Sequence, residues 1–487
     1  METMNDATAE WLKSEDSKEY FELLKFPTIG AETLHLRDCV HCATWLKKWL
    51  RKIGASVELL TPQPSTSNLQ PSTSIPVVFG ELKGAEGAPT VLVYGHYDVQ
   101  PPDPLDKWLT PPFEPTMKDD GRVYCRGAQD DKGQFFAFLC GVRAFLLNSK
   151  SQISNFKEQS SISDLQPSTS DLNFKFLFEG QEESGSATLF KLLEDRDFRR
   201  RLAADVLLVA DTSAAADLRP AIVAGLRGVN HFTVTLTAAN RDLHSGEYGG
   251  IAPNAAQGIA ELMASLHNPD GSIAVAGFRD GIEPPSHEEL TAAEAGLATE
   301  TGYADDIGCE PCGGQLGKTL AQRNAFEPTI EVNGIHSGYG GAGSKTVIPC
   351  TAIAKLSTRL VPGQNPRTAY EAVKNHLVER CPRGMHIEFS ELSGLAPGFR
   401  LPLASPLFRL AEDVLGEMDA RGAVFQWDGA SIPVVSALRE ASSAAPLLVG
   451  WGQPQDCIHS PNESYSVRQF LLSRDWAQKI LAALAAY

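Results

Sequence analysis

Positive charge is scarce in this chain, with 43 lysine and arginine residues against 60 aspartate and glutamate and a formal net charge of -17. Nucleic-acid and anionic-membrane surfaces need a basic patch, for counterion release or for lipid attraction, so both partner classes are excluded. A small molecule or a peptide is the natural substrate, and the acidity leaves room for a bound cation. Long hydrophobic runs are also missing. Nothing approaches the roughly 20 consecutive apolar residues of a membrane helix, which excludes a spanning protein. The opening stretch METMNDATAEWLKSEDSKEYFELL is acidic and amphipathic. It has no basic n-region, apolar h-region or small-residue cleavage site, so a cytoplasmic protein is expected. Nine cysteines, an odd count dispersed along the chain, fit reduced thiols better than a disulfide framework. The CxxC pairs Cys39/Cys42 and Cys309/Cys312 stand in different expected domains, which argues against one structural zinc between them.

What is present is ordinary in bulk, 43% apolar and 21% charged over 487 residues, and that length points to several domains or to one inserted in another. Residues 17–53 alternate apolar and charged at helical spacing, with Gly54 as the stop. The β-branched runs VELL, IPVVFGEL and TVLVYG follow. GQFFAFLCGVRAFLL then reads as a helix, FKFLFEG as a strand, ATLFKLLEDRDFRRRL as one helix and ADVLLVAD as a strand. Strands alternating with helices indicate an α/β layer with a largely parallel sheet. From about residue 220 the texture changes. NHFTVTLTAA, AIAKLSTRLVP and HIEFSEL read as strands of a compact α/β sandwich, with NAAQGIAELMASLH and a helix-rich stretch to about 326 beside them. The expected division is a catalytic domain in two parts, 1–219 and 396–487, with residues 220–395 inserted. QPSTS occurs at 63–67, 70–74 and 166–170. These Ser/Thr/Pro-rich copies cannot build a core and read as exposed, dispensable inserts.

Polar residues at the ends of apolar strands carry the chemistry. In TVLVYGHYDVQPP, His96 and Asp98 stand at positions i and i+2, on one side of an extended chain, toward the carboxyl end of a parallel sheet. A carboxylate there can accept the second N–H of a metal-bound imidazole. Asp130 and Asp131 in VYCRGAQDDKGQ open a helix. N-capping accounts for one aspartate, not for two followed by LysGly. FLFEGQEESGS delivers Glu182 and Glu183 as neighbours that diverge in an extended chain, so that one can bind a cation while the other addresses a water. LLVADTS places Asp211 at a further strand end, and CIHSPNES places His459 in a loop before the C-terminal helical region. Imidazoles and carboxylates gathered at the end of one sheet are what a two-metal hydrolase needs.

In order, GHYDVQP, RGAQDDKG, EGQEESGS, DLHSGEYGG, GSKTVIP, RLVP and HSPNE resemble the aminoacylase, carboxypeptidase and carnosinase superfamily of two-zinc peptidases, nearest its cytosolic dipeptidase branch. The likeness covers nearly the whole chain outside the QPSTS copies. It implies an α/β fold: a catalytic domain with a mixed, largely parallel sheet flanked by helices, and an inserted α/β sandwich that serves as lid and dimerisation domain. It implies two zinc ions per subunit, or manganese or cobalt. His96 and Asp211 would hold one ion, Glu183 and His459 the other, and Asp130 would bridge them. Asp98 would orient His96. Glu182 would be the base that activates the metal-bridging water and returns the proton to the leaving amine. The Asp130–Asp131 peptide bond is expected to be cis. His244 would reach into the partner's site in an obligate homodimer and stabilise the oxyanion. Thr346, Arg359 and Ser431 would bind substrate, Arg359 by a two-pronged grip on a terminal carboxylate, while Gly340, Gly341 and Gly343 let their loop come close. Where the family's dipeptidases usually read Arg-x-Gly-Gly-Ser, this chain has WDGAS, with Trp427 for the arginine and Ala430 for the second glycine. An aromatic there is expected to favour a bulkier or less acidic substrate residue. The implied activity is metal-dependent hydrolysis of dipeptides or short peptides with a free C-terminal carboxylate. An N-acyl amino acid amidohydrolase would use the same residues, and an inactive scaffold relative would have to lack a ligand or base that is present here.

Overall fold

The structure is a computed structural model describing residues 2–62, 74–153, 170–429 and 431–487. Apart from Ser74 and Ser170, the three QPSTS copies lie outside the described residues, as does Ala430. Two compact units are formed, one from residues 1–223, 403–425 and 437–487, the other from 224–402 and 426–436.

In the first unit the strands lie side by side in the order Ser56–Leu60, Val77–Leu82, Asn173–Glu179, Thr90–His96, Val206–Val209 and Ala445–Leu448, after which Leu448 pairs with Val223. The four strands from Asn173–Glu179 to Ala445–Leu448 are mutually parallel, and the two at the edge run antiparallel. Parallel strands are covered on both faces, so they must be apolar throughout rather than alternating. In Thr90–His96 every residue after the first is buried. Helix Leu36–Lys52 covers one face through Cys39, Cys42, Ala43, Leu46, Trp49 and Leu50, an i, i+3, i+4, i+7 stripe that buries one side of the helix. It ends at Ile53, followed by Gly54 at φ +102°. Helix Lys132–Ile153 packs along the C-terminal helix Val467–Ala486.

Two features differ from the sequence expectation. The stretch 187–202 forms two helices, Ala187–Leu192 and Arg196–Arg201, because Asp195 leaves the helical conformation and its side chain accepts the Asp197 N–H as an N-cap. Strand Ala445–Leu448 was not foreseen; four residues are too short to show a period, and its place beside Val206–Val209 comes from pairing alone.

The second unit has a four-stranded antiparallel sheet in the order Thr329–Ser337, Thr351–Leu360, Gly228–Thr237, His386–Ala396. Phe232, Val234 and Leu236 alternate onto one face, where Ile259 and Leu262 of helix Ala255–Ala264 and Val373 and Leu377 of helix Pro366–Glu379 close the core. This is the expected α/β sandwich. A separate two-residue ribbon pairs Leu243–His244 with Val347–Ile348.

The helix pair in the first unit depends on Gly141, where an added Cβ would lie 2.4 Å from the Arg474 carbonyl oxygen and 2.5 Å from the Ala477 Cβ. Gly141→Val should therefore destabilise the protein by about 1–3 kcal/mol through overpacking. Gly416→Ala, on an exposed helical position with open space around it, should stabilise it by about 0.5–1 kcal/mol. Denaturation midpoints of the two variants should move in opposite directions.

Candidate metal centre

Register brings the site together. In the parallel sheet His96 pairs with Glu179 and Tyr94 with Val209, so the residues that continue past these ends, Gly180–Gly185 and Asp211, emerge beside His96. Asp130 arrives from the turn before helix Lys132–Ile153, across an Asp130–Asp131 bond that is cis as expected. His459 arrives from a loop in which Cys457, His459 and Asn462 all have positive φ.

Asp130 stands in the middle. Its Oδ1 is 3.1 Å from His96 Nε2 and its Oδ2 is 2.8 Å from His459 Nε2. Asp211 Oδ2 lies 3.6 Å from the same His96 nitrogen, and Glu183 Oε2 lies 3.3 Å from the same His459 nitrogen. His96, Asp130 and Asp211 form one group, and Asp130, Glu183 and His459 another, each with donor atoms within 4.8 Å of one another. Nitrogen and carboxylate donors in this mixture suit zinc, manganese or cobalt. Neither CxxC pair enters a ligand group among the described residues; Cys39 and Cys42 are buried, and Cys309 and Cys312 are exposed.

The electrostatics call for a cation. Burial drives the Asp211 carboxyl up to about 7, with Asp130 and Glu183 adding to the rise and His96 opposing it. Burial and then Asp211 push Asp131 well up. Burial also holds Glu182 well above the usual carboxylate range, against the pull of His96. On Asp130 burial acts upward too, but hydrogen bonds with His459 and His96 outweigh it and depress the group. Those bonds have the converse effect on the imidazoles. His459 rises to about 10 through Asp130 and Glu183, and His96 rises through Asp130 and Asp98 although burial opposes it. Protons on the two histidines thus stand in for the positive charge the carboxylates demand.

Two buried carboxylates hold these groups in place. Asp98, fully buried, lies 3.4 Å from His96 Nδ1, which also approaches the Asp98 carbonyl at 3.2 Å. Its two oxygens accept the backbone N–H groups of Glu182 and Glu183, each at 3.1 Å. These glutamates are therefore not in extended chain, as the sequence reading had them, but on one tight turn, Glu182–Ser184, whose orphan N–H groups Asp98 satisfies. Gln100 donates to Glu183 Oε2 at 2.8 Å. The second anchor, Glu463, was missed. It takes Arg126 Nη1 at 2.8 Å and the backbone N–H groups of Gly127, Gln129 and Asp130 at 2.9, 3.0 and 3.1 Å. It lies in the HSPNE segment, but a lone glutamate in a loop gives no sign of burial. Asp131 accepts the His96 backbone N–H, so the second aspartate of the pair fixes the strand end.

The remaining candidates lie in the second unit. His244 is exposed, its Nδ1 accepts from Gly246 N–H at 3.1 Å, and its Nε2 lies 3.5 Å from Thr346 Oγ1 across the short ribbon. Gly340, Gly341 and Gly343 lie on the exposed loop that leads into the Thr346 side of that ribbon, with Gly343 at φ +82°. Arg359 Nη1 donates to Ser431 Oγ at 2.9 Å. Trp427 is 5% exposed and packs against Phe326 with ring centroids 5.3 Å apart, so it fills the interior of this unit.

A parallel sheet whose strand ends gather two histidines and several carboxylates, one of them common to two ligand groups, defines a metal-dependent hydrolase. The sequence profile of peptidase family M20/M25/M40 matches residues 92–154, and that of the peptidase dimerisation domain matches 225–385. Human Beta-Ala-His dipeptidase is 30% identical over 418 residues, 85% of this chain and 78% of that protein. The Cys-Gly metallodipeptidase dug1 of Schizosaccharomyces pombe is 27% identical over 457 residues, 92% of this chain and 91% of that one. The solved M20 family metallo-carboxypeptidase of Sulfolobus solfataricus superposes with a TM-score of 0.82 at 25% identity, covering 97% of this chain and 100% of the other. The chain belongs to the M20 family of peptidases.

Glu463→Ala strands the buried Arg126 and frees three backbone N–H groups. Breaking such a buried pair from one side should cost about 3–5 kcal/mol. Because Asp130 loses its anchor, metal bound per chain after dialysis against a limiting concentration should fall along with the unfolding midpoint.

Proposed function

We propose that the protein hydrolyses the peptide bond of dipeptides or short peptides with a free C-terminal carboxylate, using a pair of divalent ions, zinc foremost. The observation that carries this reading is Asp130, whose two oxygens face two histidines, each with a further carboxylate beside it. His96 and Asp211 would hold one ion and Glu183 and His459 the other, with Asp130 shared. When bound, such ions polarise a carbonyl and acidify water. Family membership and relatives named as dipeptidases support the substrate class.

Glu182 is the base. It is the neighbour of Glu183 on the turn held by Asp98, and a carboxylate there would take a proton from the attacking water and pass it to the leaving amine. Asp98 positions both His96 and that turn. His244 stabilises the developing oxyanion, Thr346 and Ser431 hydrogen-bond the substrate, and Arg359 grips its terminal carboxylate. The match to a dimerisation domain and the exposure of His244 support a homodimer in which this histidine serves the partner's site. Among the described residues no helix is long and apolar enough to cross a membrane. We place the enzyme in the cytoplasm, where its nine free cysteines would stay reduced.

Glu182→Ala should lower kcat by about 10²–10⁴-fold with metal content unchanged; unaltered peptide hydrolysis in metal-replete protein would overturn the assignment. A panel of dipeptides against N-acetyl and N-succinyl amino acids separates the peptidase from an amidohydrolase, with the dipeptides expected to be turned over. At pH 7 His459, raised to about 10, is protonated in the metal-free protein, and His96 is shifted in the same direction. Metal must displace those protons, so affinity should rise with pH and calorimetry in buffers of different ionisation enthalpy should register proton release. Mixing Glu182→Ala with His244→Ala subunits should restore about a quarter of wild-type activity if His244 acts across a two-fold interface, since half the dimers then hold one intact site.

A further inference from the structure

Arg227 is a cation that the proposed chemistry has not used. It immediately precedes strand Gly228–Thr237, whose first residues pair with the end of Thr351–Leu360, Gly228 with Leu360 and Val229 with Arg359. The two arginines converge on one short segment: Arg227 Nε donates to the Gly429 carbonyl at 2.8 Å, and Arg359 Nη1 donates to Ser431 Oγ at 2.9 Å. Ser431 Oγ in turn donates to the Gly228 carbonyl at 3.2 Å, which closes the arrangement back onto the residue after Arg227. Gly429 is pressed against the arginine, since an added Cβ would lie 2.9 Å from Arg227 Nη2.

Each guanidinium has five N–H donors, and among the described residues each commits one to a short bond; the next contact of Arg227, to the Glu327 carbonyl, is 3.5 Å long. Among the described residues neither guanidinium is ion-paired; Asp428 and Glu331 act on both from a distance. Burial, then the charge of Arg359, brings Arg227 down to about 10, so the field of one arginine is felt by the other. Two like charges set close together and partly removed from water are costly unless an anion joins them. Trp427, which stands where the family's dipeptidases usually carry arginine, is packed into the interior, and Arg227 supplies a second positive group beside Arg359.

We propose that Arg227 and Arg359 form a two-guanidinium subsite for a dianionic residue, so that the enzyme prefers dipeptides ending in aspartate or glutamate. This inference rests on the peptidase reading above for its substrate frame, with Arg359 taking the α-carboxylate and Arg227 the side-chain carboxylate. It replaces the expectation that the change at Trp427 disfavours acidic substrates.

The test compares Ala-Glu with its neutral isostere Ala-Gln on the metal-loaded full-length enzyme. Wild type should favour Ala-Glu by about tenfold or more in kcat/KM, the value of one charge-assisted hydrogen bond, with the difference mainly in KM. Arg227→Gln should bring the Glu/Gln ratio close to one, and Arg227→Lys should retain part of it. Equal rates on the two peptides in wild type, or a loss in Arg227→Gln that is the same for both, would overturn the inference. The wild-type comparison decides even where the variants fail to fold. Should the enzyme turn over only N-acylated amino acids, the peptidase reading falls by itself, and N-acetylglutamate against N-acetylglutamine puts the same question to the arginine pair.

Discussion

One carboxylate organises the first unit. Asp130 offers each of its oxygens to a different histidine, and each histidine is accompanied by a further acid, Asp211 or Glu183. Gathering carboxylates away from water is unfavourable unless positive charge is held among them, as the raised Asp131, Asp211 and Glu182 groups record. The raised His96 and His459 groups answer that demand with protons, and a divalent ion would take their place with fuller effect.

Around this centre lie the buried acids Asp98 and Glu463. Asp98 is shared between the imidazole of His96 and the turn bearing Glu182 and Glu183, so a single side chain sets the relation between His96 on one strand and the two glutamates beyond the next. Glu463 does the same for the Asp130 turn, with Arg126 balancing its charge. These groups resemble the outer partners that orient ligands in metal sites, where losing such a partner typically costs about 10–100-fold in metal affinity or activity. Conformational precision here comes from hydrogen bonds to backbone N–H groups, which leave a loop little freedom to rearrange.

The second unit works with cations. Its antiparallel sheet pairs Arg359 with Val229, two residues past Arg227, and the two arginines donate to Ser431 and to Gly429 respectively.

The sequence by itself determined the α/β class, the inserted sandwich and the ends of the strands that carry His96 and Asp211, because unbroken apolar runs and strict alternation are local signals of burial. It also exposed the acids at 130, 182 and 183, since charged residues where an apolar strand stops are conspicuous. Asp195 as a helix boundary and the strand Ala445–Leu448 escaped it, the first because capping competes with helix period and the second because four residues carry none. Only the tertiary structure decided that Asp98 supports two elements at once, that Glu463 lies beneath Asp130 and that Arg227 stands beside Arg359. Those contacts join residues far apart in the chain, Glu463 and Asp130 by 333 positions, and a hydrogen bond at that separation exists only after register and packing have brought its two ends within 3 Å or so.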